Sequence, residues 1–239
     1  MKLIDNRYKV NRLVNEDTYS STYEVVDLWD NDKKVFLKLY NAENNSIIEH
    51  FIKNFFYYTQ IKHRNLLLNK QFSIVKVIDG RKVQVKQYYS TSEFTDASIL
   101  DNVYGNLPLK KKLHIILQIC SVLDFLHHSG LVYKHLSPTN IFLTRNNIVK
   151  LKDIASIQEN FINANYDNIT RFFIAPEIIF HQDQKVGESA DKYSLGKLIV
   201  YLLTDSFFQP NVTKYDYKDI EEMNQEQITF INEVVNNLT

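Results

Sequence analysis

Residues 131–143 read Leu131-Val-Tyr-Lys-His-Leu-Ser-Pro-Thr-Asn-Ile-Phe-Leu143. A polar run of Lys134, His135, Ser137, Thr139 and Asn140 is framed there by apolar residues on both sides. Upstream, Leu113, Ile116, Cys120, Leu123 and Leu126 recur at helical spacing, and Gly130 stands where a helix stop belongs. Downstream, Ile141–Leu143 and Val149–Leu151 read as a strand pair turning at Asn146-Asn147. The polar run is therefore expected to be a loop held between a long helix and a hairpin.

Before this point the texture is different. Tyr8–Leu13, Ser21–Asp27 and Lys34–Tyr40 are rich in β-branched and aromatic residues, with Asn31-Asp32 as a turn between the last two. Ile48, Phe51, Phe55, Tyr58 and Ile61 predict a helix over 46–62. Two further strands are expected over 71–78 and 82–89, around Asp79-Gly80. After the polar loop, Tyr193–Leu203 is apolar nearly all round, which predicts a buried helix, and Gln225–Leu238 predicts an amphipathic one. The pattern implies an α+β chain, mainly β with one helix first and mainly α afterwards, with the change near residues 88–92.

Composition narrows the function classes. The chain has 239 residues, 44% of them hydrophobic, so disorder is excluded. Lys+Arg and Asp+Glu both number 28, which argues against a nucleic-acid or membrane-surface footprint. A single cysteine, Cys120, excludes an internal disulfide and a cysteine-rich zinc site. No apolar signal run follows Met1-Lys2, and the apolar stretch from Leu198 to Leu203 is too short to cross a bilayer. A cytoplasmic location without a membrane or nucleic-acid partner is expected. The first glycine is Gly80, so nothing before it forms a glycine-rich phosphate loop.

The 131–143 stretch resembles the catalytic loop of eukaryotic-type protein kinases. Five other segments follow the same family in order: Val35-Phe-Leu-Lys38, His63-Arg-Asn-Leu66, Lys150-Leu-Lys-Asp-Ile-Ala155, Ala175-Pro-Glu177 and Asp191-Lys-Tyr-Ser-Leu-Gly196. The resemblance covers essentially the whole chain. It implies a protein-kinase-like fold, with an N-lobe over 1–89 and a C-lobe over 90–239 that is expected to be truncated at its C-terminal end. It implies ATP and Mg²⁺ as cofactors and a protein substrate or partner.

Residue by residue, the resemblance also shows what is changed. The glycine positions of the nucleotide loop fall on Asn15, Asp17 and Ser20, whose side chains obstruct a close approach of backbone to phosphate. Lys38 stands at the phosphate-pairing lysine, and its helix partner, normally Glu, is Asn54. The catalytic aspartate is His135 and the lysine two residues on is Ser137. An imidazole has a suitable pKa for a base, but its size favours a structural, hydrogen-bonded histidine. Asn140 and Asp153 match the two magnesium ligands. Tyr133 and Ile154 keep apolar bulk in the internal spine, Asp191 opens the central helix, and Glu177 has no arginine to pair with after Arg171. Aligning Val85–Tyr88 with the segment joining the lobes puts Gln87 at the nucleotide. Lys86 then falls either behind the adenine or, with a slip of one residue, in solvent. His127-His128 is expected to cap a helix end.

The expectation is a pseudokinase, a regulatory or scaffolding module with weak or absent ATP binding. The alternative is an atypical active Ser/Thr kinase using His135 as base.

Overall fold

The computed structural model describes residues 2–16, 20–41, 55–152, 168–180, 186–207 and 223–239. Hairpins build its first part. The strands are β1 (Leu3–Ile4), β2 (Tyr8–Glu16), β3 (Ser20–Asp27) and β4 (Lys33–Tyr40), followed by β5 (Asn69–Ile74), β6 (Val77–Ile78), β7 (Arg81–Lys82) and β8 (Tyr88–Glu93). They form one antiparallel sheet in the order β5-β8-β4-β3-β2-β1-β6-β7. Its left-handed turn positions are Asp5, Asn6, Asn31, Asp32, Asp79 and Gly80, residue types that tolerate that conformation.

The expected strands 71–78 and 82–89 are each interrupted. Asp79-Gly80 does turn a hairpin, but a two-residue one, Val77↔Lys82 and Ile78↔Arg81. The cause lies at the N-terminus. The Asp5 carboxylate accepts from the amides of Lys76 and Val77, and the Asp79 carboxylate accepts from those of Lys2 and Leu3. These clips draw β6 away from β5 and onto β1. The sheet curls, because Tyr8 Oη and Arg7 Nη1 on one side both donate to Gln71 Oε1 on β5 at 3.0 Å. Ile4, Tyr8, Val25, Val35, Leu37, Leu39, Val75 and Tyr89 fill the curl. Each fully buried chain of this kind contributes about 1.5–3 kcal/mol.

Helices dominate the second part. The long helix α1 (Leu109–His128) buries Ile115, Ile119, Val122 and Leu126, flanked by Ile116 and Leu123. The expected face was rotated too far, since Leu113 is exposed and Cys120 half-buried. Gly130, at φ +72°, ends α1 as expected. Its amide bonds the His127 carbonyl and that of Leu131 bonds Leu126, which satisfies two terminal carbonyls. Strands β9 (Ala97–Ile99), β10 (Ile141–Thr144) and β11 (Val149–Leu151) form a small antiparallel sheet. Then come α2 (Asn168–Phe173), α3 (Pro176–Phe180), the buried α4 (Ser189–Thr204) and α5 (Gln225–Leu238). A reciprocal Asn224–Gln227 capping box starts α5. Of the helix expected over 46–62, residues 55–60 are helical and those before 55 lie outside the described residues.

The chain divides into two compact units, Met1–Lys62 with Leu67–Asp96, and His63–Leu66 with Ala97–Thr239. The expected boundary between 89 and 90 lies inside β8, which is paired on both edges and so stays with its sheet. The short segment His63–Leu66 joins the second unit through Asn65, whose Nδ2 donates to Gln118 Oε1 and to the Val149 carbonyl.

Candidate functional site

In the second unit the polar loop is organised by Asp191 at the start of α4. This carboxylate is 0% exposed. It accepts from the backbone amides of Tyr133 and Lys134 at 2.7 Å each, and its Oδ2 lies 2.8 Å from His127 Nε2. A buried carboxylate needs such partners. His127 therefore serves Asp191 rather than capping α1, while His128 Nδ1 does meet the Asp124 carbonyl in the last turn. Lys134 is held at φ +65°, and it alone among the described non-glycine residues at positive φ is neither Asn nor Asp. Such an outlier marks a backbone that its surroundings over-determine.

Tyr133 is buried and its hydroxyl donates to the Lys152 carbonyl at 2.6 Å. Pro138 opens a short 3-10 turn, Pro138–Asn140, where proline is pre-organised. Asn140 Nδ2 donates to the His135 carbonyl at 3.0 Å. The register Ile141↔Leu151 sets Asn140 beside Lys152, whose amide bonds the Asn140 carbonyl at 3.3 Å. Asn140 is thus placed next to the residue preceding Asp153, and its amide oxygen is the kind of hard donor Mg²⁺ takes. Asp153 and Ile154 lie outside the described residues, and the described ones hold no cluster of metal-ligating side chains.

Ser137 is 0% and Thr170 2% exposed. With Thr139 they close a triangle of hydroxyls: Ser137–Thr139 at 3.0 Å, Thr139–Thr170 at 3.0 Å and Ser137–Thr170 at 3.3 Å. The triangle fastens α2 to the polar loop. Lys197 fastens the other end of α2, its Nζ donating to the Phe172 carbonyl at 2.5 Å. Burial pushes the pKa of that ammonium below its ordinary value. Thr139, Thr170, Lys197 and His127 were not assigned these roles from sequence. Their partners lie 25 to 64 residues away, except for the Ser137–Thr139 contact, and no local spacing announces them. Glu177 meets Ser189 Oγ at 3.4 Å, a weak substitute for an arginine.

In the first unit Lys38 sits in the middle of β4, opposite Thr22 on β3 and Ser90 on β8. Its Nζ lies 5.9 Å from the centre of the Tyr40 ring. Asn15 pairs with Thr22 at the end of β2, and Ser20, at the start of β3, is buried. Glu16 accepts from Ser21 Oγ across the same turn. Asp17 and Asn54 lie outside the described residues. Gln87 is not on the segment that joins the units. It precedes β8, and its Nε2 donates to the Tyr40 carbonyl at 3.3 Å. Lys86 beside it is exposed, the solvent alternative of the alignment. β8 ends at Glu93, and the first unit runs on through Phe94 and Thr95 to Asp96. Nearby, Glu24 is held by Lys34 and Arg12, both at 2.8 Å. These cations keep its carboxyl below the usual range, the Lys34 hydrogen bond first.

Comparison with known proteins agrees with this layout. The family model described as protein kinase domain matches residues 8–238. A probable serine/threonine-protein kinase of Dictyostelium discoideum is 31% identical over 158 residues, 59% of this chain and 26% of that protein. MAP3K epsilon protein kinase 1 of Arabidopsis thaliana is 25% identical over 218 residues, 85% of this chain and 15% of its own length. A putative serine/threonine-protein kinase of Acanthamoeba polyphaga mimivirus is 22% identical over 226 residues, 90% of this chain and 34% of its own. The chain thus spans about a third or less of these relatives.

Proposed function

Since this chain belongs to the protein kinase domain family, we propose that it is a pseudokinase, a regulatory domain that folds as a kinase and does not transfer phosphate. Phosphoryl transfer is catalysed by positioning and by charge placed around the moving phosphoryl group. A kinase catalytic loop supplies an aspartate to receive the acceptor's proton. Here that position is His135. The neighbouring lysine position is Ser137, and this carries the proposal: the hydroxyl is sealed in the triangle with Thr139 and Thr170 and brings no charge. The loss of the base alone costs roughly 10²–10⁴ in rate. Missing electrostatic stabilisation adds to it.

The parts that give the domain its shape are retained. Asp191 holds the loop, Tyr133 ties it to the Lys152 carbonyl, and Asn140 braces its His135 carbonyl. A maintained scaffold with neutralised chemistry fits a role exerted on a protein partner. If Mg²⁺ binds, Asn140 and Asp153 are its donors. ATP–Mg²⁺ is the general cofactor of the family, and Lys38 is the residue that would meet its phosphates.

The test is transfer of labelled γ-phosphate from ATP–Mg²⁺ to a Ser/Thr peptide library. The natural domain is expected to give none above background, and H135D/S137K to gain a measurable rate. Transfer by the natural domain that disappears in H135A would instead establish an active kinase with a histidine base.

A further inference from the structure

We infer that Phe36, packed on Phe94, fills the place where the base of a nucleotide would lie beside Lys38, so that this unit recognises phosphate at most and excludes the nucleoside. The inference rests on the family reading above, and refines its expectation of weak nucleotide binding. It starts from the alternation of β4. Val35, Leu37 and Leu39 point into the curled core, so Phe36, Lys38 and Tyr40 share the opposite face. Residues two apart on a strand are roughly 7 Å apart, about the distance from a nucleotide's α-phosphate to its base. Whatever base accompanies a phosphate at Lys38 must therefore lie against a neighbour on this face.

Both sides of Lys38 are taken by the protein's own rings. Toward Tyr40, the phenol shares a hydrogen bond with Ser90 Oγ at 3.0 Å. The Tyr40 ring packs on Phe72 at 6.3 Å, and Phe72 in turn on Phe55 and Tyr88 at 5.8 and 5.4 Å. Toward the other side stands Phe36. Its ring centroid is 5.1 Å from that of Phe94, and it is 6% exposed. Kinases carry V-A-I-K on this strand, with a methyl group two residues before the lysine. Here Val35-Phe-Leu-Lys38 places a benzyl group there.

Charge acts in the same direction. Glu24 pairs with Phe36 across the strands, so a buried carboxylate flanks the ring. Lys34 lies over Phe94, 5.1 Å from the ring centre, while bonding Glu24. The pair is thus braced on its own unit. A base-binding slot is flat and apolar, and opens to the ligand. Here the Phe36 and Phe94 rings, tilted by 48° with centroids 5.1 Å apart, already occupy that place.

The experiment compares ATP, tripolyphosphate and adenosine by titration calorimetry on the whole chain, with Mg²⁺ and with EDTA, for the natural protein, F36A and F94A. The natural protein is expected to bind ATP no more than twofold tighter than tripolyphosphate. F36A is expected to bind ATP at least tenfold tighter than the natural protein does, with tripolyphosphate unchanged. If F36A loses its cooperative melt, F36V and F94A open the same slot with less loss of packing and must show the same selective gain. A natural protein that prefers ATP over tripolyphosphate tenfold overturns the inference. So does the absence of any ATP gain in all the folded variants. Either result leaves the pseudokinase proposal standing, because that proposal fails only on phosphate transfer by the natural domain.

Discussion

Asp191 shows how much of the site depends on one side chain. Its carboxylate is sealed from solvent and accepts the two amides of Tyr133 and Lys134. Removing it leaves those donors unpaired in the interior, together with His127. D191A should therefore cost about 3–5 kcal/mol, read as a fall in the urea midpoint at unchanged slope. D191N keeps the shape and one acceptor, and should cost about 1–3 kcal/mol. Equal loss in both would mean that the charge, not the hydrogen bonding, holds the loop. Glu24 makes a second case, this time dependent on pH. Lys34, and then Arg12, hold its carboxyl below the usual value, against the opposing effect of burial. A depressed folded pKa stabilises the protein above the unfolded pKa, about 4.3 for Glu. That contribution is lost as pH falls through the folded value. Urea titrations from pH 5 to 3 should show stability dropping across this window. E24Q should start about 1–3 kcal/mol lower at neutral pH and fall less steeply in acid. Parallel curves would assign the acid loss to other carboxylates.

At the scale of the elements, what could be read from the sequence was what is decided locally. The Asn146-Asn147 hairpin, the stop at Gly130, the span of α5 and the buried run of α4 all follow from neighbours a few residues apart. So did the changed positions of the loop, His135 and Ser137, because they lie in one continuous motif. What escaped is fixed over long separations. Asp5 and Asp79 redirect β6 through bonds that span 71 to 77 residues. Thr170 reaches Ser137 across 33. The phase of α1 escaped for another reason: its apolar residues run on both sides, and periodicity alone does not choose between Leu113 and Ile115. Gln87 was displaced because the strand begins later than its β-branched run suggests. Gly196 ends the Asp191–Gly196 motif, and it also sets how closely two helices approach. A Cβ there would meet Thr239 Cγ2 at 2.6 Å and Leu238 Cβ at 3.1 Å, both at the end of α5. G196A should force α5 outward at a cost of about 1–3 kcal/mol. Removing Thr239 in the same background should recover part of that loss. If G196A melts with the natural protein, the end of α5 gives way freely, and the close approach has no energetic weight.

For the whole molecule the governing quantity is charge balance. The 28 basic and 28 acidic residues cancel, and the isoelectric point is about 7.1. A protein without net charge lacks the mutual repulsion that keeps copies apart. Its surface also exposes Trp29, Phe56, Leu117 and Phe230, apolar groups that gain from association once repulsion is absent. Solubility at low ionic strength should therefore pass through a minimum near pH 7. On the acid side of that minimum the net charge turns positive, and the exposed His128, whose imidazole pKa is raised by the Asp124 carbonyl and then by the Asp124 charge, contributes to it. Solubility should rise there before the acid loss of Glu24 begins near pH 4.3. Salt gives a second reading of the same physics. If opposite charges on neighbouring molecules hold the precipitate together, about 0.15 M salt screens them beyond roughly 8 Å and should dissolve it at pH 7. If the exposed rings dominate, salt has no such effect, and F230S or L117S should raise solubility instead. Precipitation midpoints in polyethylene glycol, measured from pH 5 to 9 with and without salt, separate the two. A flat profile would mean that neither net charge nor these side chains control association, and that the contacts lie on surfaces these residues do not reach.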